Sequence, residues 1–262
     1  MEPDILPDLL AEIQKDFDER MYNSKTLKKA IQSLADKKAT YLDVNEFAIE
    51  IGKILSEVFK LHVTADILPD GKMYFNIADR LLNATLKKNH ELITGFGVDV
   101  QTLLNQAVGI RIKAQAPTIN KNRVDGLVNK ISSAPIFDDV KWVLEEPIIN
   151  FSQNVADAML KSNVEFHAEA GLDPKIKRTV SGHKPCDFCK RLAGLHDYDT
   201  GNGDDIYTRH ERCRCTIEYV PERGKRELVS SSKYKQNKIA EKEREKIEAR
   251  KKIGIKEKEW KK

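Results

Sequence analysis

All four cysteines of the chain lie between positions 186 and 215, in a stretch that also holds a histidine. Cys186 and Cys189 are two residues apart, and His210 precedes Cys213 and Cys215 by three and five positions. Thiolates and an imidazole at these spacings can reach one ion from the two sides of a loop. Zinc takes four such N and S ligands in a tetrahedron. The stretch therefore predicts one structural zinc ion, held by Cys186, Cys189, His210 and either Cys213 or Cys215.

Other uses of the same side chains stay open at this point. Two disulfides are conceivable, although the last two cysteines are too close in sequence to pair easily and nothing marks the chain as secreted. The Cys-x-x-Cys pair could be a redox dithiol, but the βαβ context of a thioredoxin is missing. His183 and His196 lie near enough in sequence to replace His210 as a ligand.

A catalytic zinc is not expected. Zinc hydrolases keep one position open for water and place a base nearby, as in His-Glu-x-x-His, a motif that this sequence lacks. A nuclease would need His210 as a base rather than a ligand, and no His-Asn-His pattern or Walker loop is present. We therefore predict no enzymatic activity.

Composition limits the class of protein. With 262 residues, 40% hydrophobic and 33% charged, the chain can bury one sizeable core and a small satellite. No stretch approaches the roughly 18 continuous apolar residues of a membrane helix. The acidic start, Met1-Glu2-Pro3-Asp4, lacks the residue order of a signal peptide. We expect a soluble protein of a reducing cytoplasm, with no membrane partner and with thiols free for a metal.

The fold class that the sequence predicts is α+β, mainly α. A helical body is expected over residues 1–172, a small β module over 173–221 and a charged helical tail over 222–262. In the body, apolar periodicity predicts helices with these limits: Ile5 to Phe17, Lys25 to Lys37, one opened by a capping box at Asp43–Glu46, one from about Asn76 to Pro117 interrupted at Gly95 and Gly97, Val124 to Ile131, and Pro147 to Gly171.

The β module is predicted from alternation on either side of the cysteines. Short strands are expected at 175–180 and 216–220. Such a module has too little core to stand alone, so zinc would supply the missing stability. Arg209, Arg212 and Arg214, beside the ligands, either face solvent or meet phosphates.

The tail differs from the rest of the chain in charge. Residues 222–262 contain 16 Lys and Arg against 8 Asp and Glu, a charge of +8 within a total of +4. Pairs such as Glu248 and Lys252 favour a solvated helix. The surplus positive charge could also hold the tail to DNA or to an acidic protein by a salt-sensitive attraction. Both interpretations stay open.

The cysteine stretch resembles a known family. The matching order is Cys-x-x-Cys, then Leu192-Ala193-Gly194, a variable loop and His210-x-x-Cys213-Arg214-Cys215-Thr216. It is similar to the C-terminal region of phage head-morphogenesis proteins, the Mu F-like minor capsid proteins of tailed phages and prophages. The pattern covers Pro147 to Val220, and the upstream helices match in character. Two features depart from the family: Glu211 stands where members often have Pro, and a short tail stands where some carry a toxin or ADP-ribosyltransferase domain.

The resemblance implies a non-enzymatic minor capsid protein, present in few copies inside the procapsid. It would bind the portal protein and the major capsid or scaffold protein, and assist head assembly, DNA packaging or ejection. The charge of the basic tail is compatible with DNA as a further partner but does not require it. Its location would be the phage head interior, after assembly in the host cytoplasm. The alternative is a zinc-stabilised DNA-binding protein that acts outside the particle.

Overall fold

A computed structural model of the chain describes residues 4–181, 186–198, 203–210 and 212–220. This part is mainly helical and carries a small antiparallel sheet, which confirms the predicted fold class; the predicted tail helix lies outside the described residues. None of the described helices has both the length and the apolar run that crossing a membrane requires. The elements are α1 (Leu6–Asn23), α2 (Lys25–Ala35), α3 (Tyr41–His62), α4 (Phe75–Ala107), α5 (Lys121–Ser132), α6 (Glu146–Glu169), β1 (Lys175–Thr179), α7 (Asp187–Arg191), β2 (Gly194–Asp197) and β3 (Thr216–Val220).

The capping box of α3 begins earlier than predicted. Thr40 is the N-cap, and its hydroxyl accepts a hydrogen bond from the Leu42 amide at 3.2 Å. The Asp43 carboxylate reaches back to the Thr40 amide at 2.8 Å. The predicted box at Asp43–Glu46 is therefore wrong. Asp suits either the N-cap or the third helical position, and here Asp43 takes the second role.

Helix α4 runs unbroken through Gly95 and Gly97, so the predicted interruption is wrong. A Cβ atom at Gly97 would lie 2.8 Å from Cγ of Met159 on α6. The missing side chain lets the two helices approach, and this packing outweighs the roughly 1 kcal/mol that glycine costs in a helix. The helix also ends at Ala107, ten residues before Pro117, where the periodicity predicted its end.

Helix α6 lies at the centre of the fold. It packs against α3, α4 and β3. Pro147 lies in its first turn and Gly171, with φ +81°, follows its end, as predicted. Gly52 of α3 allows α3 and α6 to approach closely, because a Cβ at this position would lie 2.8 Å from the Ile149 Cα.

The sheet has the strand order β2-β1-β3, with both pairings antiparallel. Strands β1 and β3 lie within the predicted ranges, whereas β2 was not predicted. The inner face of the sheet belongs to the same hydrophobic core as the helices, through Ile176, Ile217 and Tyr219. The module is thus packed into the helical core rather than beside it.

Candidate metal centre

The first two cysteines are placed by the short helix α7. Cys186 is the residue before its first turn, and its Sγ accepts a hydrogen bond from the Cys189 amide at 3.4 Å. Cys189 lies within that turn and is 1% exposed. The two-residue spacing therefore brings both sulfurs to the same end of α7.

The second set of donors comes from a tight turn before β3. The Cys213 amide donates to the His210 carbonyl at 3.2 Å, and Arg212, inside the turn, has φ +56°. This turn brings His210 and Cys213 against α7, and Cys215 follows at the entry to β3.

The five donors form two overlapping groups that share Cys189. One group is Cys186, Cys189 and His210; the other is Cys189, Cys213 and Cys215, and the ligand atoms within each lie inside 4.8 Å of one another. The Cys189 sulfur is 3.1 Å from His210 Nε2 and 3.8 Å from the Cys213 sulfur. These five residues, called the Cys/His cluster below, could hold a metal ion.

Two donor distances around Cys189 lie near the edges of a tetrahedron of zinc's size. Zn–S bonds of about 2.3 Å give an S···S edge of about 3.8 Å, and a Zn–N bond of about 2.0–2.1 Å gives an S···N edge of about 3.5 Å. The Cys189–Cys213 distance of 3.8 Å matches the first value, and the Cys189–His210 distance of 3.1 Å needs a small expansion for the second. An N and S donor set of this kind suits zinc.

Burial divides the cluster into two sides. Cys186 and His210 are exposed, whereas Cys189, Cys213 and Cys215 are buried. Burial raises the pKa of the Cys189 thiol to about 12, and the neighbouring sulfurs add to this shift. At Cys215 burial acts in the same direction, but hydrogen bonds from the Ser181 backbone and from neighbouring thiols outweigh it, and the pKa lies below its usual value. Neighbouring thiols in one cluster thus differ in how readily they would lose a proton to a metal.

Neither disulfides nor a ligand role for His196 is found among the residues that the structure describes. All four cysteines are free, so the thiols are not consumed in disulfides. His196 Nε2 lies 3.1 Å from the Leu192 carbonyl oxygen, and the residue belongs to neither metal-binding group. His183 lies outside the described residues.

A buried ion pair attaches the segment that carries His210, Cys213 and Cys215, called the donor arm below, to the helical body. The Arg209 guanidinium binds the Asp157 carboxylate of α6 through Nε and Nη2, the latter at 2.7 Å. Only 5% of the Arg209 side chain and 4% of the Asp157 side chain are exposed. Burial by itself would lower the pKa of Arg209, but Asp157 more than compensates and the pKa is raised. Arg209 also donates to the Cys215 carbonyl, so it links α6 directly to the cluster.

Other contacts extend this attachment along one face of α6. Arg214 donates to both oxygens of Glu146, at 2.8 and 3.0 Å. The Gln153 side-chain amide is oriented so that both its oxygen and its nitrogen have hydrogen-bond partners, and the nitrogen donates to the Cys213 carbonyl at 2.8 Å. His167 Nδ1 lies 2.9 Å from the Tyr219 hydroxyl. We call this the docking face of α6, and its residues are Glu146, Asn150, Gln153, Asp157 and His167.

A third arginine, Arg178 of β1, contacts the cluster from the sheet. It is 1% exposed, and its Nη2 lies 3.9 Å from the Cys189 sulfur and 4.0 Å from the Cys213 sulfur. Sequence reasoning missed this residue. The alternation that predicted the strand places Arg178 on the same face as Ile176, which is the buried face.

One further histidine bears on the chemistry of the module. His167-Ala168-Glu169, followed by Pro185-Cys186-x-x-Cys189, has the residue order of zinc deaminases. In the structure His167 is fully buried in α6 and bonded to Tyr219, and it belongs to neither metal-binding group. Although the residue order matches that of zinc deaminases, His167 is therefore not a candidate metal ligand.

Comparisons of the chain with protein-family models, curated proteins and solved structures returned no match.

Proposed function

We propose that this chain is a zinc-stabilised assembly protein of a tailed-phage head, a minor capsid protein that binds the portal. The observation that carries the proposal is the sequence order of the Cys/His cluster, which resembles the head-morphogenesis family, on a module packed against a helical body. The zinc ion is structural, and the protein is not an enzyme. It assists head assembly or DNA packaging.

Two features of the cluster support a structural rather than a catalytic metal. Cys189, Cys213 and Cys215 are buried, and structural zinc sites close all four positions with protein ligands. The surrounding groups are also used for attachment, since Arg209 and Arg214 hold the donor arm to Asp157 and Glu146 of α6. Loss of the metal would therefore disturb the surface of the helical body as well as the module.

The alternative is a DNA-binding zinc protein that acts outside the particle. It drew support from Arg209, Arg212 and Arg214, but the first and last of these are ion-paired with carboxylates of α6. DNA contact would then depend mainly on the basic tail, which lies outside the described residues. We therefore favour the head protein.

The test is incorporation into particles. The full chain is co-expressed with the portal and major capsid proteins of the same gene neighbourhood, and gradient-purified procapsids are quantified by mass spectrometry. We expect a few copies per particle, and none in particles assembled without the portal. Absence of the chain from portal-containing procapsids, together with salt-sensitive binding of the free protein to duplex DNA, would favour the alternative.

A matched pair of variants connects the metal to assembly. Cys186→Ser/Cys189→Ser removes two ligands, whereas His196→Gln changes a nearby histidine outside both metal-binding groups. We expect the double variant to be lost from procapsids and His196→Gln to be retained. Equal retention of both variants would show that the metal has no part in assembly.

A further inference from the structure

Arg178 occupies the middle strand of the sheet, where its neighbours across the strands are Gly194 on β2 and Ile217 on β3. Its guanidinium is enclosed and donates hydrogen bonds to two backbone carbonyls, those of Ile206 and of Thr208, the latter at 3.0 Å. These contacts hold the cation in a fixed position beside the Cys/His cluster.

Arg178 differs from Arg209 and Arg214, two other arginines that contact the cluster, in how its charge is compensated. Arg209 pairs with Asp157, and Arg214 pairs with Glu146. Among the described residues, no carboxylate forms an ion pair with Arg178. Carbonyl dipoles solvate a guanidinium but do not neutralise it, and an uncompensated buried charge is costly.

The groups that could supply the missing negative charge are the sulfurs. Nη2 of Arg178 lies 3.9 Å from the Cys189 sulfur and 4.0 Å from the Cys213 sulfur. Neutral thiols would leave the cation unpaired. A bound metal turns its cysteine ligands into thiolates, and a zinc ion with three or four thiolates has a net negative charge.

We infer that Arg178 is the charge partner of a metal–thiolate centre and thereby sets the affinity of the cluster for its metal. The inference rests on the proposed zinc site. Arg178 is a positioning residue: it touches the ligand sulfurs rather than the metal. Its charge stabilises the loaded cluster more than the metal-free cluster, so metal binding is strengthened by a residue outside the ligand set.

The test compares two substitutions that differ in charge. Arg178→Lys keeps a cation, whereas Arg178→Gln keeps a hydrogen-bond donor without the charge. Arg191→Gln is the matched control, because Arg191 stacks on the same Phe188 ring, with Cζ 5.5 Å from the ring centre compared with 6.0 Å for Arg178, but is exposed. Zinc affinity of the full chain is measured by competition with a chromophoric chelator, and the thiolate-to-metal absorption band is recorded with Co²⁺.

We expect Arg178→Gln to weaken zinc binding by about 10- to 100-fold and to shift the Co²⁺ band. Arg178→Lys should stay much closer to the wild type, and Arg191→Gln should match it. Equal zinc affinity of the Lys and Gln variants would overturn the inference. If Arg178→Gln does not fold without metal, the zinc concentrations for half-maximal refolding of the two variants are compared, and equal values overturn it as well.

The outcomes separate this inference from the proposed site. A wild-type chain that takes up no zinc removes the zinc site itself, and the inference with it. A wild-type chain that binds zinc while the Lys and Gln variants behave alike refutes the role of Arg178 alone.

Discussion

The ion pair between Arg209 and Asp157 should be a main energetic link between the β module and the helical body. Both side chains are almost fully buried, 5% and 4% exposed, and the guanidinium meets the carboxylate through two N–H groups. Removing one partner of a buried ion pair leaves the other charge uncompensated, at a cost of about 3–5 kcal/mol. We expect Arg209→Met and Asp157→Leu each to lower the free energy of unfolding by about that amount.

The double variant distinguishes an ion pair from two independent contacts. Replacing both partners by apolar side chains leaves no unpaired charge, and such replacements are often nearly neutral. Arg209→Met/Asp157→Leu should therefore lose far less than the two single variants together, with a coupling energy of at least about 2 kcal/mol. The assay is urea unfolding followed by far-ultraviolet circular dichroism, with zinc present throughout so that metal occupancy is constant.

The exposed ion pair between Lys88 and Asp18 is the control. Its N···O distance is 2.9 Å, but the side chains are 36% and 55% exposed. Water and salt weaken such a pair, and its coupling should stay below about 1 kcal/mol. A coupling energy between Arg209 and Asp157 no larger than this would refute the argument that the pair attaches the module to α6.

Two further predictions concern α6 and its neighbours. Gly52→Ala should lower the free energy of unfolding by about 1–3 kcal/mol or more, because its Cβ would lie 2.8 Å from the Ile149 Cα. Gly126→Ala, with open space around it, should raise the free energy of unfolding by about 0.5–1 kcal/mol. Melting temperatures that shift in the same direction for both variants would contradict this prediction. Burial holds the pKa of His167 below its ordinary 6.5, so only the unfolded chain takes up a proton just below that pH. The contribution of this residue to the free energy of unfolding is therefore complete above pH 6.5 and falls as the pH decreases. His167→Gln should reduce the slope of the unfolding free energy against pH, measured by urea unfolding below pH 6.5, by up to about 1.4 kcal/mol per pH unit. An unchanged slope would contradict this prediction.

Local sequence patterns predicted the fold class because each helix buries one stripe and each strand alternates between two faces. Strands at Lys175–Thr179 and Thr216–Val220 are confirmed on this basis, as is the glycine that ends α6. The errors arose where tertiary packing overrides a local preference. Gly97 is a contact point for Met159 rather than a helix breaker, and nothing in its immediate sequence distinguishes the two roles.

The surroundings of the cluster were harder to predict than its donors. Cysteine and histidine spacing identifies candidate ligands because metal geometry requires short loops. The docking face of α6 is different, since Asp157 and Glu146 would suit a solvent-facing helix equally well until their arginine partners are known. Arg178 could have been placed on the buried face by alternation alone, but its contact with the sulfurs depends on how β1 meets α7.

The most direct test of the account is the metal content of the purified full chain by native mass spectrometry, paired with its melting temperature. Cys189 belongs to both metal-binding groups, so Cys189→Ser should remove the metal completely, whereas His196→Gln should keep it. We predict one zinc ion per wild-type chain, and a lower melting temperature when it is lost through chelation or through Cys189→Ser. A wild-type chain without stoichiometric metal, melting at the same temperature as Cys189→Ser, would contradict the account.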